Sequence, residues 1–454
     1  MYRKLLISDR FRSSSRGSKA AIEEVESDRS RVLYSAAFRR LQRKTQVFPL
    51  ESNAAVRTRL THSLEVAHVG RFLSSKILDR LESEDLKSKW GLNGDMGHVF
   101  STNVEIACLL HDIGNPPFGH FGEVAVSRWF KKNNTYLKDS VFQKDFTGFD
   151  GNPQGFRIVS RLAGSDGHTG MNLTLTQLAS ILKYPVVNDE ESRYKKFGIF
   201  QSERALLDKL RDKFDLSVGQ RFPLAYLMEA ADDISYCLSD IEDGVEKDVV
   251  NFDQILNAIE DGVGDDVEVT KILSGARAAT EAAPSVDRVV SFRSYIIRHM
   301  VQYAADRYVS EHDRILSGQM DDLICPSSPE GRLLSVVKMV VRTLVYKHQS
   351  IQSLEIAGLS VISGLLDHFG LLLDLSREQM IALSSGKRGI NCDVESRVFD
   401  YIAKRHKDVY LRLLPDSTDL EEIAARARMI VDYISGMTDL FALETHQIFG
   451  GIRI

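Results

Sequence analysis

Two histidines and two aspartates are placed where together they could hold one metal ion. They are His62, the adjacent pair His111 and Asp112, and Asp232. Adjacent side chains on a helix point about 100° apart, so His111 and Asp112 can approach one cation only where their helix ends in a cleft. Two imidazoles and two carboxylates suit Mn²⁺, Fe²⁺, Ni²⁺, Zn²⁺ or Mg²⁺. We therefore expect a divalent metal that positions or acidifies an attacking water.

Each of these residues also has an ordinary structural explanation. A single histidine inside a helix is more often a buried structural residue than a ligand, and Asp232 with Asp233 is consistent with a pair on a helix surface. A second His-Asp pair, His312 and Asp313, indicates that the dipeptide also arises by chance. The residues around each candidate must therefore decide between the two interpretations.

Helical periodicity predicts the elements that carry these candidates. Apolar residues recur at helical spacing over 64–81, 104–110 and 224–238. The glycines and prolines of 114–119 end the second of these helices directly after the His-Asp pair. Alternating runs are scarce, and we expect at most a short hairpin near residues 193–201. The sequence therefore predicts an all-α fold.

Three stretches have the composition of loops or insertions. Residues 133–155 are rich in Gly, Asn and Asp, and residues 163–172 are small and polar. Residues 240–268 contain eleven acidic residues and one lysine, which is typical of a solvated surface excursion. Further helical periodicity follows this acidic stretch, at 336–346 and 423–443.

Composition excludes several classes of protein. The 454 residues carry a net charge of −5, with 43% hydrophobic and 27% charged residues, which excludes a polybasic nucleic-acid binder and a disordered chain. The four cysteines form no CxxC pair, so a zinc ribbon is excluded and a disulfide framework is not favoured. Residues 5–7 are too short an apolar run for a signal peptide, and 356–366 is too short to span a bilayer. We expect a cytoplasmic protein without a membrane segment.

The motifs around the metal-ligand candidates resemble those of a known family. The sequence resembles the HD-domain superfamily and, within it, the deoxynucleoside triphosphate triphosphohydrolases, or dGTPases. Its motifs follow the order of that family, from about residue 28 into the C-terminal third. They are FRRLQRKTQVFP at 38–49, RTRLTHSLEV at 57–66, HDIGNPPFGHFGE at 111–123, GNPQGFR at 151–157, NLT at 172–174, LKYP at 182–185 and EAADDISY at 229–236.

The resemblance implies an HD-domain helical fold and a reaction. The family hydrolyses a dNTP at the α-phosphorus to deoxynucleoside and tripolyphosphate, with one divalent metal per subunit. Here Mn²⁺ or Mg²⁺ is expected first, and Fe²⁺, Ni²⁺ or Zn²⁺ are alternatives. The family's ligands fall on the four candidates named above, and its catalytic pair falls on His120 and Glu123. A histidine can protonate the departing 5′-oxygen near neutral pH, and Glu123, three residues later, shares its helical face. The alternative is that His120 caps a turn.

The resemblance also implies residues that bind the triphosphate and the sugar. Arg59 precedes His62 by one helical turn, and Lys183 and Tyr184 match a phosphate-binding stretch together with Lys196 or its neighbour Lys195. Sugar contacts are expected from a tyrosine that leaves no room for a 2′-hydroxyl and from a pair that holds the 3′-hydroxyl. These residues are Tyr236, Asp240 and Gln46. The alternatives are a core aromatic for Tyr236 and a solvated pair for the two lysines.

The base is expected to contact the C-terminal third. Val47 and Glu355 align with guanine contacts of dGTP-specific members, and a carboxylate can accept from guanine N1–H and the 2-amino group together. Arg388, Arg397 and Tyr346 lie at the expected distances along the chain. The resemblance leads us to expect Phe in the place of Tyr346, and Glu355 could also be an ordinary acid on a helix surface.

We expect three regions. They are an N-terminal tail over 1–27, an HD-type catalytic core over 28–330 with an acidic insertion at about 240–268, and a C-terminal helical region over 331–454 that completes the pocket and the oligomer contacts. The resemblance implies a homohexamer and, in some members, binding of single-stranded DNA. The basic residues of the tail are candidates for that binding or are simply solvated: Arg3, Lys4, Arg10, Arg12, Arg16 and Lys19.

Two other functions are consistent with the sequence. One is an HD-type phosphomonoesterase or phosphodiesterase that acts on another nucleotide, and the other is a scaffold that senses nucleotides without catalysis. Release of tripolyphosphate from a dNTP separates the expected reaction from both alternatives. The motifs of P-loop, dinucleotide-binding and zincin proteins do not occur in the sequence.

Overall fold

The computed structural model describes residues 1–13, 20–164, 169–282, 287–385 and 392–452. Over these residues the fold is all-α, as predicted, with 22 α-helices. The β pairing in the same ranges amounts to two isolated bridges, Arg10 with Thr174 and Thr45 with Thr58.

The first eleven helices are α1 (Ala21–Leu33), α2 (Ala36–Arg40), α3 (Arg59–Ser83), α4 (Lys87–Trp90), α5 (Asp95–Leu110), α6 (Gly119–Lys132), α7 (Gln143–Thr147), α8 (Gly151–Arg157), α9 (Leu175–Ser180), α10 (Arg204–Phe214) and α11 (Pro223–Glu246). Among them, α3 contains His62, α11 contains Asp232, and α5 ends just before His111 and Asp112. The other eleven are α12 (Phe252–Val263), α13 (Val267–Ala282), α14 (Arg288–Ser310), α15 (His312–Leu316), α16 (Pro329–Val341), α17 (Gln349–Gly370), α18 (Arg377–Ser384), α19 (Asp393–Tyr401), α20 (Lys404–Leu413), α21 (Asp419–Ser435) and α22 (Asp439–Phe449).

The centre of the molecule is the packing of α3 against α5, α11 and α14. The buried face of α3 carries apolar residues at helical spacing, among them Val66, Leu73 and Ile77. Gly70 on the same face lets the helices approach closely, because a Cβ there would lie 2.6 Å from the Cys108 sulfur of α5 and 3.7 Å from the Ala231 Cβ of α11. The helices that carry His62 and Asp232 and the helix that ends just before His111 are thus held together at one point.

A second hydrophobic cluster joins α6 to the C-terminal helices. Trp129 and Phe130 of α6 pack with Leu365 and Phe369 of α17. A Cβ at Gly370 would lie 2.7 Å from the Trp129 ring, so a side chain is excluded at this crossing. The HD motif and the C-terminal third therefore share one core.

The predicted hairpin is wrong. Residues 193–201 form no strand, and the segment packs instead against the chain near Val186. The carbonyl of Val186 accepts hydrogen bonds from the N–H groups of both Gly198 and Ile199. Because these N–H groups bond to an earlier segment of the chain, residues 193–201 do not pair with each other in a hairpin.

The acidic stretch 240–268 is not a surface loop. It contains the last two turns of α11, all of α12 and the start of α13. Asp240 and Asp243 are buried, and Ile255 and Ile259 of α12 are fully buried one helical turn apart. The apolar residues at helical spacing therefore outweigh the acidic composition.

The expected N-terminal tail is also wrong for the described residues. The ring of Tyr2 is completely buried, and its hydroxyl contacts the hydroxyl of Tyr308. The guanidinium of Arg10 is buried against Glu24, 2.5 Å away, and Asp28. The N-terminal segment is thus part of the fold. Of the basic residues expected in the tail, Arg16 and Lys19 lie outside the described residues.

Within the described ranges, one segment is long and apolar enough to cross a membrane by length and composition, Gln349–Asp374. Half of its most apolar window is buried inside the protein. Leu365, Leu366 and Phe369 of this segment are fully buried in the second hydrophobic cluster. Its apolar character is therefore explained by packing in the core.

Candidate metal and nucleotide site

Three of the four metal-ligand candidates meet at one point. One ligand atom each of His62, His111 and Asp232 lies within 4.8 Å of the others. The Asp232 Oδ1 atom is 3.3 Å from His62 Nε2 and 3.5 Å from His111 Nε2. The buried Nε2 atom of His111 has no hydrogen-bond partner, so a cation would complete this set and the residues fit a metal.

Asp112 lies beside this cluster and faces a different partner. Its Oδ2 atom is 3.6 Å from His111 Nε2 and 2.5 Å from a guanidinium nitrogen of Arg59. The side-chain amide of Asn115 donates to the other oxygen across 2.5 Å. Asp112 is thus at the edge of the cluster, held by Arg59 and Asn115, and its role as the fourth ligand remains a prediction.

The electrostatics of the cluster keep both carboxylates ionised. Burial opposes charge on Asp232, but the imidazoles of His111 and His62 outweigh it and hold the pKa of this carboxyl below its ordinary value. Burial acts in the same way on Asp112, but Arg59 together with His111 and His62 outweighs it, so this pKa is also lowered. Ionised carboxylates beside imidazoles are the form that binds a divalent cation.

The tight turn after the His-Asp pair depends on glycine. A Cβ at Gly114 would lie 2.0 Å from the carbonyl oxygen of Gly151 and 2.1 Å from the nitrogen of Gly155. The GNPQGFR segment therefore packs directly on the turn of the HD motif. This contact fixes where the chain leaves α5 and where α6 begins.

His120 and Glu123 form a pair on the first turn of α6. The Nδ1 atom of His120 lies 2.9 Å from a carboxylate oxygen of Glu123, and the other oxygen accepts the N–H of Gly151 across 2.7 Å. The hydrogen bond to Glu123 raises the pKa of His120. The His120 side chain is 74% exposed, so its ring can reach a bound ligand.

Arg59 connects this pair to the metal cluster. It is the first residue of α3, buried, and ion-paired with Asp112. A Cβ on Gly119 would lie 2.8 Å from its Nη2 atom, so Arg59 also borders the residue just before His120. Arg59 therefore lies between the metal cluster and the catalytic candidates, and the region that these groups share is called the cleft.

The expected phosphate-binding lysines are already paired with carboxylates. The Lys183 ammonium lies 3.4 Å from Glu229 and 5.8 Å from the ring centre of Tyr184. Burial opposes its charge, but Glu229 together with the neighbouring Tyr184, Asp232 and Asp233 raises the pKa of Lys183. Lys196 lies 2.5 Å from Asp150, and its charge influences the pKa of His120. This position beside the His120–Glu123 pair favours Lys196 over Lys195.

The expected sugar residues extend along α11 from the metal cluster. Tyr236 is half-buried one turn after Asp232, and the Lys338 ammonium lies 5.3 Å from its ring centre. Asp240, one turn further, is buried, and burial raises its pKa to about 7. One buried oxygen of Asp240 and the amide oxygen of Gln46 have no partner, so each can accept a hydrogen bond from a ligand.

The structure does not bring the residues expected to contact the base together as it does the metal-ligand residues. Glu355 of α17 is half-buried, burial raises its pKa, and His120 is near enough to act on it. Val47 is half-buried, and the hydroxyl of Tyr346 donates to Asp240. Arg397 is exposed on α19, and Arg388 lies outside the described residues.

Several supporting residues were not predicted. Arg221 donates from Nε to the Lys183 carbonyl across 2.8 Å and is ion-paired with Glu229, so it supports the lysine. Asn115 and Glu229 stand inside the quoted motifs, which was a usable signal. Lys44 also stands inside a quoted motif, whereas Asp439 has no such signal. Both contact the cleft from other segments, and their partners lie far away in the chain.

A cavity of about 420 Å³ lies elsewhere, between the π-helical turn Ile158–Leu162 and α20 and α21. Its buried charges are paired internally, Arg157 with Asp432 and Arg428 with Asp145. None of the predicted site residues lines it. The convergence of titratable groups, rather than the volume of the cavity, therefore identifies the functional cleft.

Comparison with known families agrees with this site. The chain matches the HD domain family over residues 59–151 and the phosphohydrolase-associated domain over residues 396–448. The first match contains His62, His111, Asp112 and the His120–Glu123 pair. The fold and the site thus define an HD-domain phosphohydrolase.

Relatives define the family more narrowly. Proteins named deoxyguanosinetriphosphate triphosphohydrolase from Salmonella arizonae and Salmonella typhimurium are each 38% identical over 474 residues, covering 93% of this chain and 92% of the relative. The protein of that name from Cronobacter sakazakii is 37% identical over 475 residues with the same coverage. The chain belongs to the deoxyguanosinetriphosphate triphosphohydrolase family.

Proposed function

We propose that this protein hydrolyses dGTP, with other dNTPs as further candidate substrates, at the α-phosphorus to deoxynucleoside and tripolyphosphate. The observation that carries the proposal is the cluster of His62, His111 and Asp232 within 4.8 Å, which Arg59 links to the pair of His120 and Glu123. A metal-ligand set next to an acid–base pair is the arrangement that hydrolysis of a phosphoester requires.

The metal would be held by His62, His111 and Asp232, with Asp112 as the fourth ligand. One divalent ion per subunit fits this set, with Mn²⁺ or Mg²⁺ first and Fe²⁺, Ni²⁺ or Zn²⁺ as alternatives. When bound, such an ion supplies a Lewis acid that withdraws charge from the α-phosphate.

His120 acts as the general acid in this proposal. Water attacks the α-phosphorus and releases one proton to the solvent, and the bond from phosphorus to the 5′-oxygen breaks. Protonated His120 gives its proton to that oxygen and regains one from the solvent. The hydrogen bond that His120 donates to Glu123, which raises the pKa of His120, keeps this proton available near neutral pH. The exposure of the His120 ring supports direct contact with the leaving group.

The charges of the triphosphate are met by Arg59, Lys183 and Lys196, with Tyr184 beside them. In the absence of nucleotide, Glu229 and Asp150 balance the two lysines. A carboxylate next to each lysine also fixes where its ammonium lies before the substrate arrives.

Sugar and base are recognised by neighbouring residues. Tyr236 packs against the deoxyribose and excludes a 2′-hydroxyl, while Asp240 and Gln46 together hold the 3′-hydroxyl, whose single proton is donated to one of their free oxygens. Glu355 accepts from guanine N1–H and the 2-amino group, with Val47 against the ring. The residues assigned to the rest of the base pocket are Tyr346, Arg388 and Arg397.

We further propose a cytoplasmic homohexamer that binds single-stranded DNA. Arg10 is not available for DNA, because its guanidinium is buried against Glu24 and Asp28. The exposed residues Arg3 and Lys4 keep their charges at the surface. Sedimentation tests the homohexamer, and a salt titration of binding to single-stranded DNA tests the DNA interaction.

Product analysis tests the proposed reaction. The protein is incubated with Mn²⁺ or Mg²⁺ and each of the four dNTPs or GTP, and products are separated by anion exchange. The proposal requires deoxyguanosine and tripolyphosphate from dGTP, with slower turnover of GTP. Monophosphate or pyrophosphate as the product, or binding without turnover, would contradict it.

A further inference from the structure

A single buried carboxylate of the C-terminal region contacts two loops of the cleft. Asp439, at the start of α22, is 3% exposed. Its Oδ1 atom accepts the backbone N–H of Phe118 across 3.0 Å. Its Oδ2 atom accepts the backbone N–H of Thr45 across 2.9 Å and also the Thr45 hydroxyl. Both oxygens are therefore used to hold chain segments that lie more than 300 residues away in sequence.

Each of these loops leads directly into the cleft. Thr45 is followed by Gln46, and Phe118 lies two residues before His120. Phe118 has a φ of 59°, in the left-handed region that a bulky residue adopts only when its surroundings impose it. Phe118 also packs tightly on α17, because a Cβ at Gly358 would lie 2.6 Å from the Phe118 Cβ.

A second link runs in parallel through a buried lysine. The ammonium of Lys44 donates to the carbonyl of Ser435 across 2.7 Å and to the carbonyl of Asn115 across 2.5 Å. Asn115 in turn donates to Asp112. Two segments of the C-terminal region, the end of α21 and the start of α22, thus connect to the turn that carries the HD motif.

We propose that Asp439 is a positioning residue that sets where His120 and Gln46 lie in the cleft. It acts through the backbone of Phe118 and Thr45 and does not touch the substrate. The C-terminal region then contributes to catalysis by fixing the two loops, in addition to closing the core. The effect on turnover rests on the proposed function, whereas the effect on the loops can be measured without any substrate.

The test compares Asp439→Ala and Asp439→Asn with the wild type. Misplacing a catalytic group by about 1 Å can cost on the order of 100-fold in rate, so Asp439→Ala should lower kcat by about 10- to 100-fold, with a smaller rise in KM. Asp439→Asn keeps one acceptor for Phe118 and should be intermediate. Metal content, measured by mass spectrometry, should be unchanged in both variants.

Glu422→Gln is the matched control. Glu422 is an equally buried acid of the C-terminal region that pairs with Arg426 2.5 Å away. Its loss should lower the melting temperature and leave kcat unchanged. A fall in kcat for Glu422→Gln equal to that of Asp439→Ala would overturn the proposal, because the effect would then reflect general destabilisation.

Hydrogen exchange of the folded proteins separates this inference from the proposed function. Peptides that cover 44–48 and 115–119 should exchange faster in Asp439→Ala than in the wild type or in Glu422→Gln. Equal exchange in all three proteins would overturn the positioning role. A wild type without activity on any dNTP would overturn the proposed function, and the exchange result would still decide whether Asp439 holds the loops.

Discussion

The Nδ1 atom of His111 donates a hydrogen bond to the carbonyl oxygen of Cys108, 2.7 Å away. A carbonyl can only accept, so the ring proton of neutral His111 stays on Nδ1 and the lone pair on Nε2 points to Asp232. The backbone of α5 thus selects the tautomer that can bind a metal, in the way that outer contacts orient metal ligands generally.

Replacing Asp112 tests the fourth ligand. Asp112→Ala should reduce bound metal well below one per subunit and lower kcat/KM by at least about 100-fold, since it removes a ligand and leaves Arg59 unpaired. Mass spectrometry of the metal and a turnover assay measure both. Asp313 belongs to the second His-Asp pair of the sequence and is exposed. Asp313→Ala is therefore the control, and it should change neither the metal content nor the turnover. Full metal content and turnover in Asp112→Ala would remove Asp112 from the ligand set.

Replacing Tyr236 tests the selection of the sugar. Tyr236→Ala opens space for a 2′-hydroxyl and should reduce the dGTP over GTP ratio of kcat/KM by about 10-fold or more. Tyr236→Phe keeps the ring and should keep the ratio. Competition between the two nucleotides in one assay gives this ratio directly, and the same ratio in Tyr236→Ala as in the wild type would remove the steric role.

The pH dependence of kcat tests the acid role of His120. The acid must be protonated, so kcat should fall as the pH rises through the raised pKa of His120. Glu123→Gln removes the charge that raises this pKa and should move the falling limb to lower pH. Its amide oxygen can still accept the N–H of Gly151. His120→Gln should lower kcat by about 100-fold or more and abolish the limb. An unmoved limb in Glu123→Gln would contradict the assignment.

Stability should fall in acid because of a buried histidine outside the cleft. His312 stacks on Trp90 with ring centres 3.7 Å apart, and burial lowers its pKa to about 4. The unfolded chain therefore binds a proton that the folded chain does not, so stability is lost as the pH falls from about 6.5 towards about 4. Between pH 7 and 5 the loss from this residue is at most about 2 kcal/mol.

Urea unfolding at pH 7 and pH 5 measures this effect. His312→Phe keeps an aromatic ring in the stack and should show a smaller loss in acid than the wild type. Burial also lowers the pKa of His406 to about 4. This residue should therefore still cause part of the loss of stability in His312→Phe. The exposed residue His68 serves as the control through His68→Gln. Equal losses in the wild type and in His312→Phe would show that His312 is protonated in the folded state.

The sequence predicted the helices around the metal site because their apolar periodicity is local. The prediction of a hairpin at 193–201 was wrong because the N–H groups of Gly198 and Ile199 bond to Val186. The prediction of a surface excursion at 240–268 was wrong because it followed the acidic composition and not the apolar spacing of the buried face of α12. The motif residues His62, His111 and Asp232 could be placed together through the family resemblance. The contacts of Lys44 and Asp439 could not, since they join segments hundreds of residues apart and depend on how the C-terminal helices pack.

The most direct test of the central claim is the fate of oxygen from labelled water. The protein is incubated with dGTP and Mn²⁺ in H₂¹⁸O, and the products are analysed by mass spectrometry. Attack of water on the α-phosphorus predicts one ¹⁸O atom in the tripolyphosphate and none in the deoxyguanosine. Label in deoxyguanosine, or release of pyrophosphate or monophosphate in place of tripolyphosphate, would contradict the account.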